Sequence, residues 1–242
     1  PPQISLNEIA AHYCAEPNDE IIFKKGDIAK IDVGVMIDGY IGDNAMSVNL
    51  GEHDTLVQAS RDALNNALKI VGVGTPIGEI GRVIQETIQK AGFSPVRNLS
   101  GHGVNQYKYH EKPSIPNFDT GDKTPLQKGQ AIAIEPFAST GSGTIFESNN
   151  ANIFSMRQKK PVRNLMTRNV LKEIIKFKNM PFTTRWLTKI IPEPKVNFAL
   201  RDLIQNGIIN SYPPLPDSGK GLVSQAEHTV YIDDETIVTT RI

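Results

Sequence analysis

Two aspartates, Asp32 and Asp43, bracket an Asp38-Gly39 dipeptide, and each sits inside an apolar run: Lys30-Ile31-Asp32-Val33-Gly34-Val35 and Ile41-Gly42-Asp43-Asn44-Ala45. Asp-Gly between such runs is a two-residue hairpin turn. Closed that way, residues pair when their numbers sum to 77 (38 + 39), so Asp32 faces Ala45 and Asp43 faces Gly34. The two carboxylates then share one sheet face as diagonal neighbours about 7 to 8 Å apart, close enough to reach one centre. An ionised carboxylate is costly to bury unpaired, and a cation held between the two removes that cost. Two solvated aspartates on an edge strand are the alternative that the hairpin alone leaves open.

Three more segments carry donors of the same kind. Ser100-Gly101-His102-Gly103-Val104 sets a histidine between glycines, where backbone can approach closely; Ala133-Ile134-Glu135-Pro136 ends an apolar strand on a carboxylate; Gln225-Ala226-Glu227-His228-Thr229 embeds another in a strand. His228 should face away from Glu227, because strand side chains alternate. Singly, a lone histidine reads as structural and a strand-end glutamate as solvated. Together they are oxygen and nitrogen donors without a thiolate, a set suited to two hard or borderline cations such as Mn, Fe(II) or Co(II) rather than to a closed structural zinc site.

The elements that must position these groups are legible from periodicity. Ile21-Ile22-Phe23, Ile28 to Met36 and Tyr40 to Val48 read as strands. Leu56, Ala59, Ala63, Leu64, Ala67 and Leu68, then Ile77, Ile80, Val83, Ile84 and Ile88, recur at helical spacing, with Gly72 and Gly92 as stops. Strands resume at Ala131 to Glu135, Gln225 to Ile232 and Thr236 to Thr240, the last two joined at Asp233-Asp234. The stretch between is different. Residues 157–202 hold 12 Lys/Arg against Glu173, Glu193 and Asp202, net +9, and the rest therefore holds 14 (26 − 12) against 23 (26 − 3), net −9. Apolar positions at Val170, Leu171, Ile174, Ile175 and Phe177, then Phe198, Leu200, Leu203 and Ile204, predict two or three short helices in an inserted unit of residues 156–219, between catalytic segments 1–155 and 220–242.

Over the whole chain of 242 residues, 26 Lys/Arg balance 26 Asp/Glu and apolar residues make up 39%, which excludes general disorder and a chain-wide polyanion-binding excess. A single cysteine, Cys14, cannot form an internal disulfide, so a cytosolic setting is expected. No apolar run approaches the roughly 18 residues needed for a bilayer-spanning helix.

Asp32 and Asp43, His102 in Gly-His-Gly, Glu135 in Ile-Glu-Pro-Phe and Glu227 in Gln-Ala-Glu-His-Thr resemble, in order and context, the five metal ligands of the methionine aminopeptidases. His12 in Ala10-Ala11-His12-Tyr13 resembles the substrate-side histidine of that family, and His110 in Gln106-Tyr107-Lys108-Tyr109-His110 its second active-site histidine. The insertion and the following Tyr212-Pro213-Pro214-Leu215 are similar to the type 2 subclass. The archaeal pattern is the nearer one, because Ile153 stands where eukaryotic members have a histidine. His53 matches no family site and reads as a loop or helix-start residue.

The resemblance implies an α+β pita-bread fold, a curved antiparallel sheet backed by helices, with a small helical, winged-helix-like insertion. It implies two divalent ions, of Co, Mn, Fe(II) or Zn: Asp32 on one, His102 and Glu135 on the other, Asp43 and Glu227 bridging. Glu135 would also shuttle a proton, and His12 and His110 would polarise the substrate amide, a task suited to groups titrating near neutral pH. Leu99, Tyr109, Phe137 and Tyr212 would surround the methionine side chain, with His110 at its edge; plain core packing is the other reading of Phe137 and Tyr212. The substrate would be the amino terminus of a nascent polypeptide, processed by a monomer held near ribosomes through the basic insertion. The family's helical leader and first strand lie before the position of Pro1, so one flank of the sheet near Pro1 to Ile9 is expected to lie bare or to be covered by another segment. A proline-specific peptidase of the same fold (a prolidase or aminopeptidase P) and a non-catalytic adaptor that binds ribosomes or nucleic acid are the competing readings.

Overall fold

The computed structural model describes residues 1–148 and 150–241. The Asp38-Gly39 turn forms with both residues left-handed (φ 50° and 91°), and it joins β2 (Ile28–Ile37) to β3 (Tyr40–Asn49) in the expected register: Asp32 pairs Ala45 and Gly34 pairs Asp43. β1 (Gln3–Leu6) takes the outer edge of β2. β1 pairs with the first half of β2, Ala29–Asp32, where the expected strand at Ile21-Ile22-Phe23 could have joined it. That segment is irregular and its side chains are 61%, 69% and 56% exposed, against expectation. Asp19 and Asp27 carboxylates accept the Ile21 and Lys24 backbone N–H groups, a local alternative to a ladder.

Helices α1 (Asp54–Ile70) and α2 (Ile77–Lys90) follow, and His53 is the N-cap of α1. Both bury the predicted stripes: Leu56, Ala59, Ala63, Leu64 and Ala67, then Ile77, Ile80, Ile84 and Ile88. These pack against Ile132, Ile134, Ala226, Val230 and Ile232 from the back of the sheet. A Cβ at Gly81 would stand 2.1 Å from the Phe118 carbonyl oxygen, so α2 seats on that segment only because residue 81 is glycine.

The remaining strands are β4 (Ser94–Pro95), β5 (Ser100–Asn105), β6 (Lys108–Pro116), β7 (Ala131–Ile134) and β8 (Phe137–Ser139), then β9 (Ile153–Met156). After α3 (Leu165–Ile175) come β10 (Phe182–Thr183), α4 (Thr184–Thr188), α5 (Glu193–Gln205), β11 (Ile209–Tyr212), β12 (Val223–Tyr231) and β13 (Ile237–Val238). The main sheet runs β1-β2-β3-β12-β7-β5-β6, all pairs antiparallel, with β8 and β13 also on β12 and β4 on β8. This is the curved antiparallel sheet backed by helices of the pita-bread fold.

Between Ile153 and Tyr212 lies a second packed unit: a β10-β9-β11 sheet against α3, α4 and α5 around Phe154, Val170, Phe182, Leu187, Val196 and Leu203. The quoted apolar positions fall on or beside α3 and α5; α4 and the strands of the small sheet were not placed by periodicity. Its strands are two to four residues long, too short for a period-2 pattern to show.

Candidate metal centre and substrate cavity

Sheet register assembles the centre. Asp32, Ala45 and Glu227 are paired partners across β2, β3 and β12, and one step beyond the His228–Ile134 pair Glu135 comes beside Glu227. Ala45 leaves room between the carboxylates of Asp32 and Glu227, which larger side chains would fill. Two residues along, the next row on the same face runs Gly34, Asp43, Thr229, Ala133, His102. The two rows carry all five expected ligands.

Regular pairing of β12 with β3 covers Ala226, Glu227 and His228. Side chains extend it at both ends. The Asp43 N–H donates to Thr229 Oγ1 at 2.7 Å and that hydroxyl donates to the Asp43 carbonyl at 2.9 Å; the Gln225 N–H donates to Ser47 Oγ at 2.7 Å and Ser47 returns a bond to the Gln225 carbonyl at 2.8 Å. Backbone at Asp43 and Glu227 is thereby fixed before any ligand arrives. Gly101 and Gly103 do the same for His102: a Cβ at Gly101 would lie 2.2 Å from the Ala133 carbonyl oxygen, and one at Gly103 2.3 Å from that of Lys112.

His102 Nε2 lies 3.8 Å from Asp43 Oδ2 and 3.8 Å from Glu135 Oε1, and donor atoms of Asp43, His102 and Glu227 fall within 4.8 Å of one another. Asp32 Oδ2 accepts from Gln225 Nε2 at 3.4 Å. Burial, then repulsion from Asp43, pushes the Asp32 carboxyl up to about 7; burial first and neighbouring carboxylates second drive Glu135 and Glu227 well above the ordinary range, and burial raises Asp43. Burial holds His102 below its usual value against the pull of Asp43. Asp32 Oδ1, Asp43 Oδ1 and Glu227 Oε2 are buried without a hydrogen-bond partner. Acceptors stranded this way are what a bound cation satisfies, so the residues present fit divalent ions.

A cavity of about 650 Å³ opens beside the ligands, and His12, Leu99, Tyr109, His110, Phe137, Ile153 and Tyr212 line it. The Ala10 N–H donates to the Leu215 carbonyl at 2.8 Å and the Leu215 N–H to the Ala11 carbonyl at 3.2 Å, so the Tyr-Pro-Pro-Leu segment brackets His12, which is left-handed (φ 67°). The His12 and His110 rings stand 5.6 and 5.9 Å from the Tyr212 ring, on which both converge, and His110 meets His102 at 4.5 Å. Tyr212 is held by a 2.9 Å bond between its hydroxyl and Ser155 Oγ. Phe137 is fully buried among Ala10, Val96, Leu215 and Val223, as its core reading has it, and it also meets the cavity. Burial lowers the His12 imidazole to about 4, and burial with the neighbouring His102 and His12 rings lowers His110, although its side chain opens onto the cavity. Both are thus lowered from the near-neutral titration range in which such a task was expected to place them.

The sequence pattern of Metallopeptidase family M24 matches residues 2–176. A curated methionine aminopeptidase of Thermococcus onnurineus is 46% identical over 238 residues, 97% of this chain and 81% of that one. The chain belongs to the methionine aminopeptidases of metallopeptidase family M24. The crystal structure of a methionine aminopeptidase from Thermotoga maritima superposes with a TM-score of 0.68 at 25% identity, over 100% of this chain and 74% of that one. A structure titled as a thermophilic Arx1 superposes with 0.85 at 16% identity, over 98% of this chain and 74% of that one, and shows the fold alone. Among methionine aminopeptidases this chain is a hydrolase that uses divalent metal. Curated archaeal relatives at 43% and 42% identity carry the same name, against the prolidase reading.

Two groups escaped the sequence reading. Gln225, quoted only as context for Glu227, anchors Asp32. Lys176, Phe177, Lys178, Met180, Pro181 and Trp186 of the insertion also line the cavity. Nothing in a basic, helix-forming stretch signals which of its faces will meet a site assembled from segments as far apart as Asp32 and Glu227.

Proposed function

We propose that the chain releases amino-terminal methionine with two divalent ions, Asp32 and Asp43 chelating one, His102 and Glu135 the other, and Asp43 and Glu227 reaching both. What carries this reading is the convergence of four carboxylates and an imidazole on one sheet face, three of their oxygens buried and unpartnered, beside an apolar cavity. Bound divalent ions supply Lewis acidity at the scissile amide and make water a nucleophile near neutral pH. Glu135, beside the ions, would serve as the group that takes a proton from the attacking water and passes it to the departing amine nitrogen. His12 and His110, neutral imidazoles, hydrogen-bond the amide oxygen and the leaving nitrogen. The acidic cluster holds the free α-amine, which confines cleavage to the chain end, and Leu99, Tyr109, Phe137 and Tyr212 enclose the methionine side chain.

Residues 156–219 act as an inserted subdomain of the catalytic domain formed by 1–155 and 220–242, a reading supported by a separate apolar core that runs from Phe154 to Ile209, although Leu215 packs in the catalytic core. Its net charge of +9 over residues 157–202 (12 − 3) holds the enzyme near ribosomal RNA, where nascent chains emerge in the cytosol. Among the described residues no helix is long and apolar enough to cross a membrane.

Dialysis against chelator abolishes methionine release, and Mn or Co restores it. Restored enzyme processes Met-Gly, Met-Ala and Met-Val peptides faster than Met-Leu or Met-Lys, because crowding beside the ions limits the second side chain. Preferential release of Xaa from Xaa-Pro peptides, or turnover indifferent to chelation, would refute the assignment.

A further inference from the structure

The inner end of the cavity is acidic and buried, whereas its rim is basic and exposed. Asp32, Asp43 and Glu227 are at most 8% exposed, and Lys112, Lys176 and Lys178 are exposed residues that line the same cavity. Lys176 caps the C-terminal end of α3, and Lys112 stands on β6. The rim is a built surface. Phe177, between the two insertion lysines, stacks on Phe182 with ring centroids 5.4 Å apart and meets Trp186 at 5.5 Å, which ties it to the insertion's core. Lys178, left-handed at φ 51°, sets its ammonium 4.9 Å from the centre of the Tyr107 ring and 3.3 Å from the Tyr107 hydroxyl. Tyr107 in turn donates its N–H to the Gly39 carbonyl at 2.8 Å. The insertion is thus pinned across the cavity to the tips of both hairpins.

Charge compensation along the rim is uneven. Glu111, the acidic residue there, pairs with Lys108 at 3.4 Å, and Lys176 pairs with Glu173 at 2.6 Å. Among the described residues, neither Lys112 nor Lys178 has a carboxylate within 4.0 Å, and Tyr107 is a neutral partner. A peptide whose amino terminus is held at the inner acidic end leaves the cavity past these ammonium groups. We propose that Lys112, Lys176 and Lys178 form a downstream subsite that favours substrates with acidic side chains beyond their second residue. The proposal rests on the aminopeptidase reading above and adds to it a selection that neither the methionine slot nor the crowding at the second residue performs.

Exposed ion pairs are weak and screened by salt, so the subsite acts on KM, with a discrimination of about fivefold at low ionic strength that fades as the Debye length shrinks. The metal-restored enzyme is assayed on two matched peptides, Met-Ala-Glu-Ala-Glu and Met-Ala-Lys-Ala-Lys, with Met-Ala-Ala as reference, and the ratio of kcat/KM values is read. The acidic peptide is favoured through a lower KM, and salt brings the ratio toward one. Lys112→Glu and Lys178→Glu each lower it, together they invert it, and Lys178→Arg keeps it. Because Lys112 projects from a strand of the main sheet, its reversal tests the charge even where Lys178→Glu loosens the rim. A wild-type ratio near one, or variants that keep the wild-type ratio, would overturn the subsite. Absence of methionine release from all three peptides would instead strike at the aminopeptidase reading on which it depends.

Discussion

Asp43 and Glu227 share an environment in which neutral replacement should cost metal binding and activity. Each is about 1% exposed, each keeps an unpartnered oxygen, and each has its backbone fixed by neighbouring strands. Asp43→Asn or Glu227→Gln preserves volume and fold but removes a charge from the cation site. Metal content should fall, and methionine release should drop by at least about 100-fold, since outer partners of metal ligands already cost up to that much. Full activity with undiminished metal would exclude the bridging role. The carboxylates also set a pH dependence in chelated protein. With Asp32 raised to about 7 and Asp43, Glu135 and Glu227 also raised, the folded state holds protons that the unfolded chain has released. Stability then falls as pH rises through about 7, the sign that follows when the unfolded state binds fewer protons. Asp43→Asn removes one repelling charge and flattens that slope in thermal melts. A chelated wild type equally stable at about pH 6 and about pH 8 would contradict the account.

Elements, not single residues, bring His102 to the carboxylates. β5 lies against β7 so closely that Gly101 faces the Ala133 carbonyl with no space for a side chain, and β6 crowds Gly103 from the other side. Gly101→Ala must push the β5 and β7 backbones apart, a change of the overpacking kind that costs about 1–3 kcal/mol. It also displaces His102 from Asp43 and Glu135. A lower melting temperature together with weaker metal binding in calorimetry is expected; wild-type values for both would show that the Gly-His-Gly spacing serves something else. The loop carrying Tyr212 to β12 is fixed comparably by Asp217. Its buried carboxylate accepts from Ser139 Oγ at 2.9 Å and from the Gly219 and Gly143 N–H groups at 2.7 and 3.1 Å. Burial works to raise that carboxyl, and these bonds outweigh it and hold it below the ordinary range.

At the scale of the molecule, formal neutrality conceals two oppositely charged parts, +9 over residues 157–202 and −9 over the rest. Lys176 and Lys178 of the insertion line the cavity, where the proposed downstream subsite would use them. A test of ribosome attraction must therefore avoid them. Lys159, Lys160 and Lys172 are exposed or half-buried residues of the insertion outside the cavity wall. Their joint replacement by Glu should weaken cosedimentation with ribosomes at low salt while leaving release from Met-Ala peptides intact. Cosedimentation that is unchanged, or insensitive to salt, would remove the ribosome role.

The sequence by itself determined the local pieces. The Asp38-Gly39 turn set the β2–β3 register and placed Asp32 diagonally from Asp43, because turn chemistry and a period of two act over adjacent residues. Periodicity likewise identified α1, α2, α3 and α5, and the Gly-His-Gly, Ile-Glu-Pro-Phe and Gln-Ala-Glu-His-Thr contexts marked the remaining ligand candidates. Tertiary structure alone decided what lies between distant segments. That β12 enters between β3 and β7, aligning Asp32, Ala45, Glu227 and Glu135 in one row, depends on long-range pairing that no local pattern encodes. The same holds for Ile21-Ile22-Phe23, apolar enough for a strand yet irregular, while β1 pairs with Ala29–Asp32 of β2. Burial sets the neutral state of His12, and the packing of Phe177 against Phe182 and Trp186 brings the basic insertion to the rim of an acidic cavity. Each of these is a contact between residues far apart in the chain, and its energy exists only once the chain has closed around it.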